Sequence, residues 1–89
     1  VTHYLLVRHR VADFDSWHGV FESHAAAQRE AGLHLLHLLR DAADPKLVVL
    51  LFRADDPEAA LAFTSSPDAA AAARTAGVIG NPEVSLLSE

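Results

Sequence analysis

Two neighbouring stretches, Leu33–Arg40 (LHLLHLLR) and Lys46–Ala54 (KLVVLLFRA), constrain this chain more than any other feature. Both are almost unbroken runs of Leu and Val, too short for a core helix and of the usual length for a strand. Between them, Asp41-Ala42-Ala43-Asp44-Pro45 has the composition of a turn, which predicts an antiparallel hairpin. A strand with one wet face alternates apolar and polar residues. These do not: Leu36, Leu38, Leu47, Val49 and Leu51 leave apolar side chains on both faces. Each face therefore needs a cover. A chain of 89 residues buries only roughly 60–65% of the surface it exposes when unfolded, so it has little material for two covers. Helices of the same chain on one face and a second subunit on the other is the simplest solution, and a two-fold homodimer is its commonest form.

The remaining elements supply the helical cover. His3–Val11 reads as a strand with Leu5, Val7 and Val11 on one face beside His3 and His9, and Tyr4, Leu6, Arg8 and Arg10 on the other. Asp13 and Asp15 are N-cap residues for a helix that runs to Gly32, a natural C′ position. A second helix opens at Asp55-Asp56-Pro57-Glu58, where the proline lacks only an N–H that a first turn does not use. It covers Ala59–Phe63, restarts at Ser66-Pro67-Asp68, and continues through Ala69–Ala76 as a thin, alanine-rich helix to Gly77. Gly80-Asn81-Pro82 predicts a loop and Glu83–Ser88 a last strand. The order is β-α-β-β-α-β with the second helix broken. That is the α+β ferredoxin-like sandwich, as one domain over residues 1–89, with both helices on one face of an antiparallel sheet.

Charge and composition narrow the partners. A net charge of −5 argues against a nucleic-acid surface, which needs clustered Lys and Arg. No apolar run approaches the ~20 residues of a membrane span. The absence of cysteine removes thiolate chemistry and fits a reducing cytoplasm. Nor is there a phosphate-binding glycine loop, a nucleophile-elbow motif or a histidine pair spaced to hold a metal, so neither cofactor nor metal is expected.

At about 100° per residue, the first helix stacks Trp17, Phe21, His24 and Gln28 along one face. This stripe turns from aromatic to polar partway along, as the wall of a small-molecule pocket does. Strand YLLVRHRVADF, helix signature Trp17-x-x-x-Phe21-x-x-His24, hairpin DAADPKLVVLLF and the ending Ala76-Gly77-Val78-Ile79-Gly80-Asn81-Pro82-Glu83 occur here in order. Through them the chain resembles the dimeric α/β-barrel superfamily, and within it the antibiotic-biosynthesis-monooxygenase-like and small cyclase-like proteins. The resemblance implies two sheets closing into a barrel across a homodimer, with a cavity between sheet and helices in each subunit. The chain departs from it at Arg53-Ala54, where relatives carry an aromatic residue, usually tryptophan, associated with substrate positioning.

His24 and His9 are the candidate catalytic residues, because histidine exchanges protons near neutral pH and these two approach one cavity from helix and strand. Trp17, Phe21, Phe52 and Phe63 are candidates for an aromatic wall around a planar ligand. His37 and Arg40 complete the substrate-binding set, Arg40 as an anchor for a carboxylate or phenolate. Each also has a plainer reading: a hydrogen-bonded core imidazole, an ordinary core aromatic, a solvated surface charge. A haem would need one axial histidine in an open apolar pocket, a place His24 suits, but nothing else in the sequence points to one. The expectation is a cofactor-independent enzyme acting on a small hydrophobic molecule of aromatic or polyketide type, by oxygenation, cyclisation or isomerisation. The family name points to oxygenation and Ala54 points away from it, so the three reactions stay open. The alternative is a non-catalytic ligand-binding or accessory dimer.

Overall fold

Strand β1 (His3–Val11) runs through the middle of the sheet, between β3 (Leu47–Ala54) and β4 (Val78–Ser88), and β2 (Leu33–Arg40) lies outside β3. All three pairings are antiparallel, giving the order β2-β3-β1-β4. Helices α1 (Phe14–Ser23) and α2 (Ala25–Glu30) connect β1 to β2; α3 (Pro57–Thr64) and α4 (Pro67–Ala76) connect β3 to β4. The computed structural model describes all residues, Val1–Glu89, and its architecture is the expected α+β ferredoxin-like sandwich. No helix is long and apolar enough to cross a membrane.

Local chemistry sets the helix ends. Asp13 accepts a hydrogen bond from Ser16 N–H, and Asp56 accepts from Glu58 and Ala59 N–H ahead of Pro57. Ser66 accepts from Ala69 N–H, and Gly77 closes α4 in the left-handed region at φ 82°. Gly32, at φ 78°, passes so close to the start of the second helical segment that a Cβ there would lie 3.3 Å from Asp55 Cβ. In the hairpin turn, Asp41 accepts from Ala43 and Asp44 N–H, while an Arg10–Asp44 ion pair ties the turn to β1.

Two expectations are corrected. The stretch Asp13–Gly32 is not one helix, because it breaks at His24 (φ −99°, ψ 6°). At the break the Ser23 hydroxyl donates to the Val20 carbonyl, the acceptor that the His24 N–H would use in a continuous helix. That N–H turns to Phe21 O instead, at 3.1 Å. Gly80-Asn81-Pro82, read as a loop, lies inside β4. There the β1–β4 register jumps from Arg8↔Glu83 to Arg10↔Ile79, so the three residues form a bulge opposite His9, with Gly80 at φ 73°.

The helices lie over the face carrying Leu5, Val7, His9 and Val11 of β1 and Val48, Leu50, Phe52 and Ala54 of β3, where they contribute Trp17, Ala60 and Ala76 to the core. Only 12 of 89 residues are buried, so the core is one layer deep. On the opposite face, Leu6, Val49 and Leu51 line up with Leu39 and Leu87, of which the last two are 53% and 42% exposed. A second bulge at Leu36 shifts the β2–β3 register and sets His37 opposite Leu51, on this helix-free face.

Candidate functional site

Between the α1–α2 segment, α4 and the β1–β4 side of the sheet lies an open cavity of about 780 Å³. One wall is bulky. Trp17, 3% exposed, stacks on Phe21 with centroids 4.9 Å apart, and His9 meets the Trp17 ring edge-on at 5.3 Å. The facing wall is thin, because α4 presents Ala69, Ala71, Ala72, Ala73 and Ala76. Side chains that stop at Cβ leave the space unfilled, so the alanine run is itself the reason a cavity exists. Phe63 from α3 closes one end, and Val78 of β4 with Pro82 of its bulge another.

Polar groups are few: His9, His24, Gln28, Ser66, Asp68 and Thr75. The Ser66 hydroxyl is already committed, donating to Phe63 O and accepting from Ala69 N–H at its helix cap. His9 is the one buried polar residue of the chain, and its Nδ1 has no hydrogen-bond partner. Desolvation holds its pKa below the ordinary imidazole value, with its own backbone carbonyl working the other way, so burial favours the neutral ring. It occupies the point where β1 loses its register with β4. Bulges beside functional sites re-aim side chains in this way. His24 is exposed at the α1–α2 break and reaches the cavity at its rim.

The structure thus brings His9, His24, Trp17, Phe21 and Phe63 to one cavity. Three expected residues are elsewhere. Phe52 is core, 4% exposed and 6.4 Å behind Phe21. His37 is displaced to the helix-free face by the Leu36 bulge. The Arg40 guanidinium lies over the Phe14 ring at 4.2 Å, a cation–π contact that occupies it away from the cavity. Asp68, Thr75 and the α4 alanines were not among the candidates. Their signal was present in the alanine run, which read as a thin helix and not as the empty half of a pocket. No three His, Asp or Glu side chains converge to hold a metal ion.

No sequence-family model matches the chain, and no curated protein sequence does either. Solved structures match it closely in shape. An antibiotic biosynthesis monooxygenase-like protein from Bordetella bronchiseptica superposes with a TM-score of 0.78 at 14% identity, over 99% of this chain and 96% of that one. A similarly described protein from Caulobacter crescentus gives 0.73 at 18% identity, over 97% and 87%. A variant of SnoaB, a cofactor-independent oxygenase from Streptomyces nogalater, gives 0.73 at 20% identity, over 99% and 92%. The fold is that of the antibiotic-biosynthesis-monooxygenase-like proteins. At these identities the likeness speaks for architecture; chemistry has to be argued from the cavity.

Proposed function

We propose that this chain is a cofactor-independent enzyme that binds a planar hydrophobic molecule, of aromatic or polyketide type, in the cavity between sheet and helices. The observation that carries the reading is that His9 and His24 border the same aromatic-walled cavity. Burial favours the neutral form of His9, the form that accepts a proton from an acidic C–H or phenolic O–H of a bound substrate. His24, at the rim, exchanges protons with solvent. The conjugated anion left behind supplies the reactivity for isomerisation or cyclisation, or for addition of dioxygen as co-substrate. The protein's part is to hold the planar system against Trp17 and Phe21, beside His9. The likeness to SnoaB favours oxygenation among the three. Through the helix-free Leu39–Val49–Leu51–Leu87 face, a second copy completes a barrel, and the subunits act as a homodimer in the cytoplasm.

The test is solvent-deuterium exchange into a polycyclic ketone that carries an acidic benzylic methylene, with oxygen uptake followed in parallel. We expect exchange above the buffer rate, lowered by about 10²-fold or more in His9→Gln. Uptake of oxygen with one oxygen atom of dioxygen retained as a new carbonyl and the other lost as water identifies a monooxygenase; exchange without uptake identifies an isomerase or cyclase. Exchange no faster than in buffer, unchanged by His9→Gln and His24→Gln, sinks the catalytic reading. The alternative, a non-catalytic binding dimer, draws on the lack of a side chain that orients the His9 ring, a partner that general bases ordinarily have. Sedimentation at micromolar concentration is expected to give twice the chain mass of 9.6 kDa.

A further inference from the structure

The helix that walls the main cavity also walls a second one. On the β2 side of α1–α2 lies a smaller depression of about 420 Å³, and Phe21 and Gln28 line both spaces. Phe21 is the partition. It is half-buried, stacked on Trp17 at 4.9 Å and tilted toward Phe52 at 6.4 Å.

The chemistry of the smaller space differs from that of the larger. Its floor is apolar, formed by Leu33, Leu35 and Leu38 of β2. Two of its histidines already have carboxylate partners: His18 bonds Glu22 at 3.0 Å and His34 bonds Asp55 at 2.7 Å. Arg29, the one full cation on its rim, takes part in no ion pair and no side-chain hydrogen bond. An apolar floor ending at a free guanidinium matches an alkyl stem that ends in a carboxylate, which the guanidinium fork receives through two parallel N–H···O bonds.

We infer that the second compartment takes the acidic arm of a ligand whose planar body occupies the main cavity, with Arg29 as its counter-ion and Phe21 setting how long the arm must be. The inference rests on the reading of the main cavity as a ligand site. It names a substrate class, aromatic acids with a flexible carboxylate-bearing chain, in place of unadorned polycycles.

Trp17 is the only tryptophan and lines the main cavity, so its fluorescence reports occupancy there. Three pyrene probes accept its emission: 1-pyrenemethanol, 1-pyrenebutanol and 1-pyrenebutyrate. The carboxylate probe is expected to bind wild type about threefold or more tightly than the matching alcohol, a modest ratio because the guanidinium is exposed. Added salt should narrow that ratio. Arg29→Gln is expected to abolish it while leaving 1-pyrenemethanol unchanged. Phe21→Leu should strengthen both four-carbon probes relative to 1-pyrenemethanol; if that variant loses its fold, the Arg29→Gln comparison decides alone. Saturable quenching by 1-pyrenemethanol with no carboxylate preference, or with a preference that survives Arg29→Gln, overturns the second compartment and leaves the main cavity standing. Absence of saturable quenching by all three probes overturns the cavity reading itself.

Discussion

The two helical connections of this fold are both broken in the middle, and they build opposite walls of one cavity from opposite materials. The α1–α2 segment brings Trp17, Phe21, His24 and Gln28; the α3–α4 segment brings mostly alanines, with Phe63 and the small polar residues Ser66, Asp68 and Thr75. Their breaks also differ in origin. Ser66-Pro67 stops and restarts a helix by chain stiffness and a new cap, which is legible at a glance. The first helix breaks at His24 with neither proline nor a side-chain cap, only a Ser23 hydroxyl bonded to the Val20 carbonyl beside the break, which composition does not announce. The comparison teaches that a binding wall needs its bulk on one side only, and that the missing bulk opposite is equally part of the design.

The largest expected effect comes from removing the bulky wall. Trp17→Ala should cost about 3–5 kcal/mol in urea denaturation, since the ring is 3% exposed and supports both Phe21 and His9. A loss below about 1 kcal/mol would mean that the cavity wall is not part of the core. Filling the thin wall should do the reverse. Ala72→Leu adds its side chain to open space, so stability should change by less than about 1 kcal/mol while pyrene-probe affinity falls about tenfold or more. Unaltered affinity would place ligands elsewhere.

His9 offers a pH test of the same interior. Its folded pKa lies below the ordinary imidazole value near 6.5, so the unfolded chain binds the proton first as pH falls. Its contribution to stability is whole above pH ~6.5 and is lost as pH drops toward the folded value, with a slope of at most about 1.4 kcal/mol per pH unit. His9→Gln should flatten the stability profile in that window. The lowered carboxyl pKa values of Asp13, held by its cap bond to Ser16, and of Asp44, held by Arg10, act in a separate window at and below pH ~4. An unchanged profile would show that His9 is solvated. The smallest effect is Gly19→Ala in α1, which has nothing within 4 Å of the added methyl and should stabilise by about 0.5–1 kcal/mol without touching binding.

Much of this molecule could be read before its structure. The caps at Asp13, Asp56 and Ser66, the turn at Asp41, and the doubly apolar hairpin led directly to the element order and the sheet. Within the site, Trp17, Phe21 and His24 were legible because helical periodicity places them on one face, and His9 because it alternates with Leu5, Val7 and Val11. Three residues expected to face a ligand lie off the cavity, each for an identifiable reason. A one-residue bulge at Leu36 turned His37 away; Phe14 captured Arg40; Phe21 stood between Phe52 and the cavity.

What the amino-acid order determined by itself was everything set within a few residues: where helices begin and end, which faces are apolar, and how few charges the interior admits. What only the tertiary structure decided was everything set by pairing between distant segments. The bulge of Gly80–Pro82 is opposite His9 because β4 pairs with β1, some seventy residues away in the chain. The cavity is open because α4 faces α1, and the second compartment exists because β2 runs beneath α2. Register and facing depend on the balance of many weak contacts along whole strands. No local signal carries that balance.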